Sequence, residues 1–258
     1  MLPALDWSRP WFAPWRAAGE GVAARVAAGW PLDAALNEAG PAPVRFVPQD
    51  GLPAGTPYES FVFDTGRCPV RPGLHDFFNG LCWLRFPAAK SALNRLQAEA
   101  IARDGIGARR GPMRDAITLF DESGALLQAA PELWQALLAR QWRSLFVELR
   151  PLWREARLLV FGHALLEQLA APRRNITAHV WRDPCPPGDA ADADAWLAAQ
   201  LAPERLAAKP FTPLPVLGIP GWCAENENFS FYDDSLVFRP PRAPQASTTT
   251  TPPGPRRS

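Results

Sequence analysis

Hydrophobic positions along this chain recur with several different rhythms, and each rhythm predicts an element. Ala89, Ala92, Leu93, Leu96 and Ala100 fall on one face of a helix that has Pro87 in its first turn. Trp134, Leu137, Leu138, Trp142, Leu145, Phe146 and Leu149 keep the i, i+3, i+4 spacing and predict a helix over Pro131 to Leu149, with Pro151 breaking or kinking it. Leu158 to Leu169 is a largely apolar run that fits a buried helix, and Ala191 to Leu201 reads as an alanine-rich helix. Further helical stretches are expected from near Pro31 and from Asp76. Short β-rich runs predict strands at Val44 to Val47, Ile117 to Phe120, Ile176 to Trp181 and Ser235 to Phe238. Tyr58 to Phe63 and Cys68 to Val70 flank Asp64-Thr-Gly66, where glycine supplies φ > 0, and predict a hairpin. Phe211 to Trp222 carries Pro213, Pro215 and Pro220 and is expected to run extended over other elements.

These elements define an α+β, helix-dominated fold with a small antiparallel sheet. Residues 1–240 are expected to form a single globular domain, and 241–258 a disordered Pro/Thr-rich tail too polar to fold. At the other end, Trp7, Trp11 and Trp15 are spaced by four, but Pro10 and Pro14 forbid a regular helix. That arm reads as irregular chain pinned by its indoles.

Composition changes the picture in three places. Of 258 residues, 30 are proline and 11 tryptophan; the proline share is about twice the usual ~5 % and predicts many short elements. The net charge of +1 gives no global case for nucleic acid. No window of 18 consecutive apolar residues exists, which excludes a membrane-spanning helix. The start lacks a basic region followed by an apolar one, so the expectation is a cytoplasmic protein whose Cys68, Cys82, Cys185 and Cys223 stay reduced.

Several segments together carry a likeness. They are His75-Asp-Phe-Phe-Asn79, Phe86-Pro-Ala-Ala-Lys-Ser-Ala-Leu-Asn94, Arg114-Asp-Ala, Phe120-Asp-Glu, Phe161-Gly-His-Ala and Pro213-Leu-Pro-Val-Leu-Gly-Ile-Pro-Gly-Trp222. In this order the chain, over residues 5–242, resembles the proteobacterial domain-of-unknown-function 3025 family. The resemblance implies bacterial origin and one domain. It implies no activity and assigns no residue a role.

Candidate chemistry centres on the three histidines, His75, His163 and His179. His75-Asp76 stands before a helix that carries Asn79, an order loosely similar to the ββα metal nucleases, which use a longer loop there. The alternative is that Asp76 caps the helix. His163 and Glu167 are i, i+4 on one helical face and could ligate one ion, or form a satisfied buried pair. Convergence of His75, His163 and Glu167 would make a two-histidine, one-carboxylate metal set.

Arg114 is a candidate anion fork or a structural ion pair, and with Arg109 and Arg110 it concentrates three positive charges that suit an anion or are simply solvated loop charge. Asp121 and Glu122 read as turn residues closing a strand. Tyr232 lies in a polar cluster with Asn226, Asn228, Asp233 and Asp234 that serves either a site or turns. Cys82 and Cys223 are candidate nucleophiles or buried thiols. Phosphate-loop, dinucleotide, nucleophile-elbow and zincin signatures are absent.

Two classes of function follow. One is a metal-dependent hydrolase, phosphoesterase or nuclease-like, with His75, Asp76 and His163 catalytic, Arg114, Asn79 and Tyr232 on substrate, and a divalent metal on His75, His163 and Glu167. The other is a non-catalytic binding or scaffold protein whose exposed Trp7, Trp11, Trp15 or Trp222 hold a peptide, a small molecule or a protein partner.

Overall fold

Three buried aromatics of the N-terminal arm set the first contact. Trp11, Phe12 and Trp15 are 1 %, 1 % and 3 % exposed, so the arm is pinned as expected, but over Pro10–Trp15 it forms a 3-10 helix and not irregular chain. The computed structural model describes residues 2–105 and 111–240, so the expected tail and the Arg109-Arg110 charges lie outside the described residues. In chain order the helices are α1 (Arg16–Ala27), α2 (Leu32–Asn37), α3 (Tyr58–Thr65), α4 (Leu74–Arg85), α5 (Pro87–Asp104), α6 (Pro112–Ser123), α7 (Pro131–Leu138), α8 (His163–Leu169), α9 (Ala190–Gln200) and α10 (Pro203–Ala207). The strands are β1 (Arg45–Pro48), β2 (Arg67–Val70), β3 (Gly124–Gln128), β4 (Arg157–Val160), β5 (Thr177–Trp181) and β6 (Phe211–Pro215). The protein is an α+β, helix-dominated fold.

Two small sheets are present. β1 and β2 pair in parallel; the second sheet has the order β4-β3-β5-β6, antiparallel at β3–β4 and β5–β6 but parallel at β3–β5. The antiparallel expectation therefore holds for two of its three pairings. β6 takes an edge, where Pro213 and Pro215 cost no central ladder bond. One buried apolar cluster runs from Trp11 through both sheets to Phe238.

Several expected elements are corrected. Tyr58 to Phe63 is not a strand but most of α3, because Phe61 and Val62 bury one helical face and Gly66, at φ 64°, is its left-handed C-cap. A glycine with positive φ marks a hairpin turn and a helix end alike, so the two readings share one signal. With no hairpin, the ββα arrangement is not formed. Ile117 to Phe120 lies inside α6, which opens on Pro112. The apolar rhythm of 131–149 does continue, but α7 stops at Leu138 and Arg140 takes φ 52°. A π turn at Ser144–Glu148 and a 3-10 turn at Arg150–Arg154 carry Leu145, Phe146 and Trp153 into the core. Leu158 to Leu169 divides at Gly162 into β4 and α8, since a short apolar run has no period that tells strand from helix. Ser235 to Phe238 is turn.

Candidate functional site: a histidine–carboxylate cleft

Gly162 is where the site begins. Its amide and that of Phe161 both donate to Gly124 O at 2.9 Å, tying the end of β4 to the start of β3. Because β3 and β4 are antiparallel, the C-terminus of α6 and the N-terminus of α8 come to the same end of the sheet. Glycine permits the approach: a Cβ on Gly162 would lie 2.4 Å from Ser123 N and 2.5 Å from Glu122 O. Glu122 in the last turn of α6 thus meets His163, the first residue of α8, with His163 Nε2 3.7 Å from Glu122 Oε2. Helix α4 packs against α8 and delivers His75 from its first turn.

The two imidazoles meet edge to face, with Nε2 to Nε2 at 3.1 Å. His75 Nδ1 stands 3.0 Å from Glu167 Oε2, so the Nδ1–H donates to that carboxylate, an arrangement that in the neutral imidazole leaves the lone pair on Nε2. Ligand atoms of His75, Glu122 and His163 all lie within 4.8 Å of one another. His163 is buried at 5 % exposure, and its Nδ1 has no hydrogen-bond partner; the nearest carboxylate oxygen, Asp121 Oδ2, is 3.7 Å away. Burial holds the His163 pKa down to about 4, outweighing Asp121, so the ring is neutral near pH 7. Burial likewise pushes Glu122 above the usual carboxylate range.

Behind the histidines runs a buried polar chain. Lys90, 4 % exposed, donates to Asp121 Oδ1 at 2.6 Å and to Asn79 Oδ1 at 2.9 Å. Burial raises the Asp121 pKa, but the charge and hydrogen bond of Lys90, together with smaller contributions from His163 and His75, outweigh it and hold the carboxyl below its ordinary value. Asn79 in turn donates to Tyr58 OH at 3.3 Å, which contacts Cys68 Sγ at 3.1 Å. Lys90, Asp121, Asn79 and Tyr58, with the two histidines, line a cleft of about 390 Å³, within the size range of small-molecule sites.

The predicted residues distribute unevenly. His75, His163, Asn79 and Asp76 line the cleft. Asp76 is not the N-cap of α4, which is Gly73; its carboxylate accepts from Arg71 N at 2.6 Å and from the Arg71 guanidinium, closing the loop before the helix. Glu167 reaches His75 Nδ1 rather than the Nε2 side, where Glu122 stands instead. Arg114 is buried behind the wall with its Nε on Gln97 Oε1 at 3.2 Å. Tyr232 belongs to a different cluster, donating to Gly218 O at 2.9 Å and stacking on Phe146. Asn226, wholly buried, donates to Leu217 O and Ile219 O, which is turn chemistry. Cys82 donates to Phe161 O and burial pushes its thiol far up, so it is a buried thiol and no nucleophile.

Sequence reasoning missed Glu122 and Lys90. The signal for Glu122 was present in Phe120-Asp-Glu but hidden by the strand reading of 117–120. Lys90 offered no signal, because burial of a lysine is decided by its partners.

Fold and site define a class: a helix-dominated α+β protein with two histidines and a carboxylate gathered at one cleft. The chain belongs to the family described as "Protein of unknown function (DUF3025)", whose model matches residues 44–242. Comparison with curated proteins and with solved structures gives no match. No described helix is long and apolar enough to cross a membrane.

Proposed function

We propose that His75, His163 and Glu122 hold one divalent metal ion and that the protein is a metal-dependent hydrolase. The observation that carries this reading is the gathering of one ligand atom each from His75, Glu122 and His163 within 4.8 Å of one another, with the two Nε2 atoms 3.1 Å apart. Metal–nitrogen bonds of about 2.05 Å place two ligand atoms ~2.9 Å apart at a right angle and ~3.3 Å apart at the tetrahedral angle. The 3.1 Å separation of the two Nε2 atoms falls between these values, and the 3.7 Å to Glu122 is slightly longer.

Proton positions support the same reading. With a neutral His75, a direct His–His hydrogen bond puts the His163 proton on Nε2, which leaves the buried Nδ1 an unsatisfied acceptor. Were His75 and His163 to hold a cation, the His163 proton would sit on Nδ1, which faces the anionic Asp121. A metal held there would supply a water of lowered pKa as nucleophile. Glu167 fixes the tautomer of His75, and Lys90 fixes Asp121. Asp76 holds Arg71 at the rim.

The binding-surface alternative has little to stand on, because three of its four anchors, Trp11, Trp15 and Trp222, are 1 %, 3 % and 8 % exposed, and Trp7 packs over Gly19.

Titration of the metal-free full chain with zinc or cobalt(II) should give one ion per chain. Affinity should fall by about 100-fold or more in Glu122→Gln and by about 10- to 100-fold in Glu167→Gln. Hydrolysis of some member of an ester, amide and phosphate-ester panel should vanish with chelator and return with metal. Absence of binding at millimolar metal, or a Glu122→Gln affinity equal to wild type, refutes the metal centre.

A further inference from the structure

Resting on the metal reading, we infer that this cleft takes a small uncharged substrate attacked at a carbonyl, an ester or amide, and not a phosphate ester. The charges around the cleft carry the argument. Its described lining holds two cations, Arg71 and Lys90, against four carboxylates, Glu59, Asp76, Asp121 and Glu122, a net of minus two. A divalent ion cancels that balance. A phosphate monoester dianion would restore it inside a concave, partly desolvated site, where like charge is poorly screened.

Neither cation stands free inside the cleft. Arg71 is tied by its Nε and Nη2 to Asp76 at 3.1 and 3.2 Å, so its charge is matched there, and its side chain is 63 % exposed at the rim. Lys90 has three donors: one goes to Asp121, one to Asn79, and its ammonium lies 5.4 Å above the centre of the Trp83 ring. Phosphoryl-transfer sites surround the transferring group with arginine, lysine or a second metal. Among the described residues only one group of metal-ligating side chains is found. The rest of the wall is amide, hydroxyl and apolar, with Asn94, Gln97 and Thr118 beside Leu93 and Ile117. That lining suits an uncharged molecule, which needs one Lewis acid for its carbonyl and amide groups for its polar edges.

The chemistry balances with water alone. Water adds at the carbonyl carbon, the bond from that carbon to the leaving oxygen or nitrogen breaks, and the remaining proton goes to the leaving alcohol or amine.

The test uses the cobalt(II)-loaded full chain and its visible absorption. Acetohydroxamic acid (hereafter acetohydroxamate), uncharged in solution near neutral pH and bound to a metal as its monoanion through the carbonyl and hydroxamate oxygens, serves as the carbonyl-site probe, and inorganic phosphate as the multiply charged one. Acetohydroxamate should perturb the spectrum with a Kd at least about ten-fold below that of phosphate. Untying Arg71 with Asp76→Asn should then tighten phosphate by about ten-fold and leave acetohydroxamate nearly unchanged. Phosphate binding as tight as acetohydroxamate in the wild type, or unaltered by Asp76→Asn, overturns the substrate class while the metal centre stands. A chain that gives no cobalt absorption overturns the metal centre, and the substrate class falls with it.

Discussion

His163 concentrates the cost of the site in one side chain. Its neutral form is what burial at 5 % exposure permits, and its folded pKa of about 4 lies below the ordinary 6.5 of an exposed histidine. The unfolded chain therefore binds more protons between these values, and stability rises with pH across the same window. The contribution is fully present above pH 6.5 and is lost as the pH falls toward 4, by roughly 3 kcal/mol at about 1.4 kcal/mol per pH unit. With chelator present, urea midpoints at pH 7 and 4.5 should diverge more in the wild type than in His163→Asn. Equal divergence would mean the ring is not held neutral by burial. At this scale the sequence supplied His75, His163, Asn79 and Glu167 as candidates because histidine is rare in the chain and i, i+4 spacing is visible. It did not supply the atom each one uses. His163 and Glu167 share a helical face as expected, yet both turn to His75, one to each of its ring nitrogens.

The junction of β4 and α8 shows how elements, rather than residues, assemble the cluster. Gly162 has an ordinary φ of −68°, so its need for glycine is steric and comes from the backbone of Glu122 and Ser123. Backbone cannot swing aside as a side-chain tip does. Gly162→Ala should force α6 and α8 apart, cost about 1–3 kcal/mol, and weaken metal binding by separating Glu122 from His163. Urea denaturation with cobalt titration of the same variant checks both effects; wild-type values in the two would show that the junction yields freely. Misreadings of the pattern share this origin. Apolar residues at 117–120 and 158–161 are buried whichever way the chain runs, and short runs carry too few repeats to separate period 2 from period 3.6. The long periodic helix α5 and the capped α9 were legible because many positions agree.

Across the whole molecule, the N-terminal arm closes a core that the family match leaves partly uncovered. The family model begins at residue 44, whereas Trp11 packs on Trp222, Phe12 on Phe78 and Trp15 on Phe86. Truncating one buried Phe or Trp to Ala costs about 3–5 kcal/mol, and three together approach the ~5–15 kcal/mol stability of a typical domain. Deleting residues 1–15 should abolish the cooperative thermal transition and the near-UV circular dichroism of the aromatic core. An unchanged melt would make the arm dispensable. The sequence by itself determined the helix-dominated α+β class, the pinned arm and the candidate histidines, because composition, periodicity and proline placement act locally. Only the tertiary structure decided that Glu122 gathers with His75 and His163, that Lys90 is buried against Asp121, and that the two sheets contain parallel pairs. Those facts depend on which distant segments meet, and contacts such as His75 with Glu167, 92 residues apart, leave no periodic trace in the chain.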